Sequence, residues 1–235
     1  MILTFYFLLQ VSMKIVLKVI KMYKNILFDL DGTLLDTSIG VLKAVKVTIL
    51  QLDLKIPCNE ILQKFVGPPM QESFEKYFNL SKMEALKSAN VFREIYKDSL
   101  YEAKIYDGAI ELLEKLKAKN CKIAIATNKS HDNAINILRK FNILDFCDYV
   151  KGSDLEGKLT KTDIVKECLC HLKAKKEESV LIGDSIADAK GAKESNIDFI
   201  AMLYGFGFKS NSDLNNIQHK KSFESISLLR DYLVN

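Results

Sequence analysis

Ile26-Leu27-Phe28-Asp29-Leu30-Asp31-Gly32-Thr33-Leu34-Leu35-Asp36 runs from three apolar residues straight into two aspartates spaced one residue apart. The apolar run reads as a buried strand that ends abruptly in a turn bearing carboxylates. Alternation along a strand puts Asp29 and Asp31 on the same face of the chain. Two like charges held that close are costly unless a cation neutralises them or one carries a proton. Gly32 lets the backbone turn sharply or approach a ligand. The stretch therefore predicts a metal-assisted site at the carboxyl end of a strand, where open α/β sheets place their ligands.

Working outward, Asp36 to about Tyr106 carries helical spacing and few strand signals. Ile39, Leu42, Val45, Val47 and Ile49/Leu50 suggest one apolar stripe; Phe74, Tyr77, Phe78, then Leu86, Ala89, Val91, Phe92, Ile95 and Tyr96 suggest others. Pro57 and Gly67-Pro68-Pro69 break these segments. After Asp107-Gly108 helix and strand alternate. Ala109 to Lys119 is amphipathic, and Cys121 to Ala126 reads as a strand closed by Thr127-Asn128. Asp132 to Phe141 reads as a helix, Tyr149-Val150 as a short strand and Thr162 to Leu172 as a helix. Ser179 to Ile182 is a buried strand ending at Gly183-Asp184, followed by helix Ala187 to Ser195 and strand Asp198 to Leu203. Such alternation implies an α/β fold with a doubly wound parallel sheet. The expected organisation is a core of residues 23–36 and 107–235, with a helical insert at 37–106.

Three strand ends then carry functional side chains: Asp29/Asp31, Thr127/Asn128 and Asp184/Asp188. In a parallel sheet these ends share one edge. Helical spacing puts Asp184 and Asp188 on neighbouring ground. Taken singly, each aspartate is as readily a helix cap or a turn residue. Together at successive strand ends they call for a cation, and hard oxygen ligands favour Mg²⁺.

Asp29-x-Asp31-Gly-Thr, Thr127, a downstream lysine and Gly183-Asp184-xxx-Asp188 resemble, in order and spacing, the four motifs of the haloacid dehalogenase-like superfamily. The resemblance covers roughly Lys24 to Leu203, and the helical insert matches that superfamily's small helical cap. Thr127-Asn128-Lys129, Gly152 to Gly157 and Tyr204-Gly205-Phe206-Gly207 are similar to its phosphoglycolate phosphatase-like branch. The resemblance implies a Rossmann-like core and assigns roles. Asp29 would be the nucleophile that forms an aspartyl-phosphate. Asp31 would be the general acid and base. The Asp29 and Asp184 carboxylates and the Asp31 backbone carbonyl would hold Mg²⁺, with Asp188 supporting the metal through water or orienting the lysine. Thr127 and the Asn128 backbone would bind the phosphoryl oxygens. Lys161 is taken as the motif lysine, with Lys158 as the alternative in Gly157-Lys158-Leu159-Thr160-Lys161. Gly67, Pro68 and Met70 are cap candidates for substrate contact, although Pro68-Pro69 equally serves as a plain helix break.

The expected activity is Mg²⁺-dependent hydrolysis of a small, phosphoglycolate-like phosphate monoester. A phosphomutase of the β-phosphoglucomutase kind, or a pyrophosphatase or 5'-nucleotidase, shares the same core. A carbon-attacking dehalogenase has no use for Asp31. A phosphonate hydrolase would want a Schiff-base lysine in the cap, where Lys43 and Lys46 stand. A non-enzymatic binding module would have lost Asp29, Asp31 or Asp184.

Composition agrees with a chain of this kind. The 235 residues are 48% hydrophobic and 27% charged, with a net charge of +4. The basic residues are nearly all lysine, without a basic block, so no nucleic-acid partner is expected. Five scattered cysteines without CxxC spacing fit reduced thiols in a cytoplasmic protein. Cys168-Leu169-Cys170-His171 is a poor zinc site, because such positions on a helix do not face one another. Residues 1–22 form an apolar extension whose lysines (Lys14, Lys18, Lys21) follow the apolar run, unlike a signal peptide. The run is short for a membrane span, and Met22 offers an alternative start. No stable membrane insertion is expected; the expected partner is a small phosphorylated metabolite, and the expected assembly a monomer or homodimer.

Overall fold

The structure is a computed structural model that describes residues 22–156 and 158–234. The apolar extension expected at the N-terminus, apart from Met22, and Gly157 lie outside the described residues. Strand β1 (Asn25–Phe28) leads to the short β2 (Leu35–Asp36). Helices α1 (Ser38–Gln51), α2 (Asn59–Gln63), α3 (Met70–Phe78) and α4 (Lys82–Ser99) follow. Then come β3 (Lys104–Ile105), α5 (Ala109–Ala118), β4 (Lys122–Ser130), α6 (His131–Lys140) and β5 (Tyr149–Ser153). The chain closes with α7 (Lys161–Leu172), β6 (Ser179–Gly183), α8 (Ile186–Ser195), β7 (Asp198–Met202), β8 (Lys221–Phe223) and α9 (Ile226–Val234).

Six of these strands form one parallel sheet in the order β5-β4-β1-β6-β7-β8. Alternation along each strand assigns the two faces. Ile26, Phe28, Ile123, Ile125, Val180 and Ile182 pack with α5, α6 and α9. Leu27, Ala124, Ala126 and Leu181 pack on the other side against α7 and α8. From β1 the chain winds one way to β4 and β5, then returns to β6 and winds the other way. The crevice beside the carboxyl ends of β1 and β6 is thus the switch point at which such sheets bind ligands.

Strands β2 and β3 form a separate antiparallel ribbon, with Leu35 opposite Ile105 and Asp36 opposite Lys104. The ribbon holds the two ends of the helical insert together. Within the insert, α1 and α4 approach so closely that a side chain on Gly40 would run into the Ser99 carbonyl, and Ser99 Oγ donates to Gly40 O at 2.9 Å. The apolar stripe expected on α1 is corrected here. Ile39, Val47 and Leu50 are 52%, 44% and 59% exposed, whereas Val41, Ala44, Val45, Thr48 and Ile49 are buried. Buried positions three, four, seven and eight residues along from Val41 make the regular helical face; Ile39, Val47 and Leu50 lie off it. Two elements beyond Leu203, β8 and α9, have no counterpart in the sequence reading.

Candidate active site

Asp29 is the first residue past β1, and its N–H continues the ladder by donating to Ile182 O at 2.8 Å. Its carboxylate is thereby fixed beside the end of β6. The chain then folds into a tight turn in which Leu30 O accepts from the N–H groups of Thr33, Leu34 and Leu35. Gly32 sits in this turn with φ of +82°, and a side chain there would collide with the Asp184 carboxylate.

Lys161, the first residue of α7, reaches this edge from the far side of the sheet. Its stem passes over Gly191, where a Cβ would lie 3.0 Å from Lys161 Cγ. Lys161 Nζ donates to Asp29 Oδ1 at 2.7 Å and to Ala126 O at 2.6 Å, and lies 2.8 Å from Asp188 Oδ1. Its side chain is only 4% exposed. Lys158, the alternative, is exposed and pairs with Glu156. Asp188 is the third residue of α8, and its Oδ2 completes a capping box with the Ser185 N–H and hydroxyl. Asp184 is the first residue past β6; its Oδ2 accepts from the N–H groups of Phe206 and Gly207, at 2.5 and 3.0 Å. Asp29, Asp184 and Asp188 each bring a carboxylate oxygen within 4.8 Å of the others.

Asp31 stands apart from this group. Its Oδ1 accepts from the Thr37 hydroxyl at 2.6 Å and lies 3.0 Å from Lys129 Nζ. The structure places its carboxylate outside the three-aspartate cluster. Lys129 gets there because β4 does not stop at Thr127-Asn128. It continues to Ser130 through an irregularity, with Ala126 opposite Lys151 and Ser130 opposite Ser153. The residues in excess on β4 are drawn from Thr127, Asn128 and Lys129, and such bulges re-aim side chains next to sites. Thr127 is buried, and its Oγ1 accepts from the Lys129 N–H at 3.2 Å, which leaves the hydroxyl proton without an acceptor among the described residues. Asn128 sits beside it at the same strand end.

Burial is the main reason the Asp29 carboxyl is pushed up from its ordinary value; Asp188, Asp184 and Asp31 add to the rise and Lys161 opposes it. Burial also raises Asp184, with the Asp188 charge adding to it and the Gly207 and Phe206 N–H groups opposing. Burial alone would lower Lys161, yet the Asp188 and Asp29 carboxylates prevail and raise it. Three carboxylates against one ammonium make a locally negative edge. Asp29 Oδ2 and Asp184 Oδ1 have no hydrogen-bond partner among the described residues, so both are available to a cation.

Besides Thr37 at its start, the insert reaches this edge through Gly67 and Tyr96. Gly67, with φ of +104°, would bring a Cβ within 3.7 Å of Phe206 Cβ, next to the N–H groups that hold Asp184. Tyr96 of α4 accepts from Lys129 Nζ at 3.1 Å. Pro68 is exposed and Met70 half-buried against the core. Three contributors escaped the sequence reading: Lys129, Tyr96 and the Phe206-Gly207 backbone. The tripeptide Thr127-Asn128-Lys129 was the one signal for the lysine. A backbone N–H has no residue-type signature at all.

A parallel α/β core with an acidic edge at its switch point and a helical cap inserted after the first strand defines a hydrolase class. The haloacid dehalogenase-like hydrolase family matches residues 26–202. A 5'-nucleotidase of Pseudomonas aeruginosa is 33% identical over 79% of this chain and 85% of its own. A phosphoglycolate phosphatase of Aquifex aeolicus is 28% identical over 89% of this chain and 98% of its own. The crystal structure of a predicted phosphatase from Clostridium acetobutylicum superposes with a TM-score of 0.85 at 33% identity, covering 91% of this chain and 99% of that one. The chain belongs to the haloacid dehalogenase-like hydrolase family. Within it, this protein is an enzyme of the phosphatase class. Among the described residues no helix is long and apolar enough to cross a membrane.

Proposed function

We propose that this enzyme hydrolyses small phosphate monoesters through an aspartyl-phosphate on Asp29, with Mg²⁺ as its cofactor. The observation that carries the reading is the unequal treatment of the two motif aspartates. Lys161 grips Asp29 among two other carboxylates, whereas Asp31 is turned away to Thr37 and Lys129. Neighbouring carboxyl groups in different environments are suited to different roles. Asp29 attacks phosphorus, and the ester P–O bond breaks as the alcohol oxygen takes a proton from Asp31. Water then attacks the phosphorus of the aspartyl-phosphate and returns its proton to Asp31, releasing phosphate and free Asp29. The Thr127 hydroxyl and the Asn128 N–H donate to the phosphoryl oxygens, and Lys161 balances their charge.

Asp29, Asp184 and Asp188 suit a hard divalent cation: their donors are all oxygens, and among the described residues two of those oxygens have no hydrogen-bond partner and one ammonium, Lys161, faces the group. Such an ion supplies charge neutralisation to the phosphoryl group when bound. Asp29 and Asp184 would hold it directly, and Asp188 would serve from behind through Lys161. Residues 37–106 act as the cap that selects the leaving group, with Gly67 beside Phe206 as a candidate contact. The names of the relatives bring phosphoglycolate and nucleoside 5'-monophosphates to the head of the substrate panel. Five free thiols fit a reducing cytoplasm.

The test is turnover of para-nitrophenyl phosphate with and without Mg²⁺, by wild type and by Asp29→Asn. Turnover that requires both Mg²⁺ and Asp29, in a variant with unchanged circular dichroism, is the expected result. No turnover under either condition, or full activity in the variant, refutes the reading.

A further inference from the structure

The Lys129 side chain is only 6% exposed, and the motif lysine, Lys161, is a different residue. It lies 3.0 Å from Asp31 Oδ1, donates to the Tyr96 hydroxyl at 3.1 Å and stands 4.6 Å from the centre of the Tyr96 ring. Tyr96 is itself held by stacking on Phe92, with ring centres 5.3 Å apart. The Thr37 hydroxyl occupies the same Asp31 oxygen at 2.6 Å. Oδ1 is therefore taken by two donors, while Oδ2 has no hydrogen-bond partner among the described residues.

We propose that Lys129 is a positioning residue that clamps Asp31 through Oδ1, leaves Oδ2 as the atom that gives its proton to the leaving alcohol, and anchors this clamp on the cap through Tyr96. The proposal rests on the reading of Asp31 as general acid. A lone carboxylate rotates about its Cβ–Cγ bond and exchanges its two oxygens; an ammonium and a hydroxyl on one oxygen fix which oxygen points onward. Because Tyr96 belongs to the insert, the clamp is complete when α4 lies against the core. The bulge in β4 serves this purpose: without it, Lys129 would stay in register along the strand instead of reaching Asp31.

The role separates from simple support of the fold through the chemistry of the leaving group. An alkoxide must be protonated as it departs, and para-nitrophenolate need not be. The parameter kcat/KM reports events up to release of the alcohol, so it reads the acid step and not the later attack of water. Lys129→Met should lower kcat/KM for glycerol 2-phosphate about 100-fold, but by less than about threefold for para-nitrophenyl phosphate, since a positioned acid supplies ~10²–10⁴-fold. Tyr96→Phe keeps the ring and removes one hydrogen bond, and should shift the same ratio about fivefold. Equal losses on both esters, or an unchanged ratio in folded Lys129→Met, overturn the proposal. If Lys129→Met does not fold, an unchanged ratio in Tyr96→Phe overturns it. Wild-type turnover of both esters that is indifferent to Asp29→Asn refutes the phosphatase reading instead, which keeps the two failures distinct.

Discussion

Replacing Lys161 by methionine keeps an unbranched chain of similar length and deletes the charge. The ammonium has three close partners, Ala126 O at 2.6 Å, Asp29 Oδ1 at 2.7 Å and Asp188 Oδ1 at 2.8 Å, in a position almost closed to solvent. Its loss leaves the buried Asp188 carboxylate, the Asp29 carboxyl and a buried carbonyl without their shared donor. Removing one member of a buried ion pair costs about 3–5 kcal/mol. For a chain of this size each kcal/mol moves the melting temperature by roughly 2–4 °C, so Lys161→Met should melt about 6–20 °C below wild type in chelator at neutral pH. Against a total stability of about 5–15 kcal/mol, the variant remains mostly folded. Added Mg²⁺ should recover more melting temperature in the variant than in wild type, because the cluster then lacks the Lys161 ammonium. Thermal unfolding followed by circular dichroism reads both effects. Lys158→Met, which removes an exposed lysine, should leave melting unchanged. A Lys161→Met protein that melts with wild type, or a loss at Lys158 that matches it, refutes the assignment of Lys161 as the charge that holds this edge together.

Two further outcomes follow from the same edge. A side chain on Gly205 would meet the Asp184 carboxylate and the Gly32 carbonyl, so Gly205→Ala should cost about 1–3 kcal/mol of overpacking and raise the Mg²⁺ concentration needed for half-maximal turnover; wild-type melting and Mg²⁺ dependence would contradict this. Without metal, burial raises Asp29 to about 8 and Asp184 to about 6 from the ordinary 3.8. The folded state thus binds extra protons, and the stability this gives is full below 3.8 and is lost as pH rises through about 6 and about 8. A divalent cation replaces those protons, so the Mg²⁺-induced rise in melting temperature should be larger at alkaline than at mildly acidic pH, and a rise independent of pH would contradict the linkage.

The elements that were legible in the sequence are those whose signal is local. β1, β6 and β7 are apolar runs closed by aspartate, glycine or a turn, and α5, α6, α7 and α8 repeat on a helical period; each was found within a few residues of its observed bounds. Asp29, Asp184 and Thr127 were legible because a parallel sheet gathers its strand ends at one edge by topology alone. What escaped depends on contacts remote in sequence. β8 is three residues long, with Lys221 exposed and Ser222 and Phe223 only half-buried, so it has no apolar run to announce it. The α1 stripe was misread because Ile39, Val47 and Leu50 are as apolar as the residues that pack, and only the approach of α4 on Gly40 decides which face is covered. Lys129 was visible as a residue, but its partner Tyr96 lies 33 positions earlier in a different unit, and nothing in either segment points to the other.

The charges at this edge also explain why the reaction is easier to read than the substrate. Asp29, Asp31, Asp184 and Asp188 face two buried ammoniums, Lys161 and Lys129. With all four carboxyl groups ionised the excess is two negative charges, which is what one divalent cation carries. Lys161 and Lys129 are not equivalent in this balance: one is anchored wholly within the core, the other is shared with the cap. On the proposed mechanism the chemistry at Asp29 depends on the core alone, through the strand ends and the first turns of α7 and α8. On the same mechanism the proton chemistry at Asp31 depends on a lysine whose second partner sits on a helix of the insert, the part proposed to meet the leaving group. A cap sequence that changes the leaving group must therefore preserve a hydroxyl or its equivalent near Lys129, which ties selection of the substrate to the working of the acid.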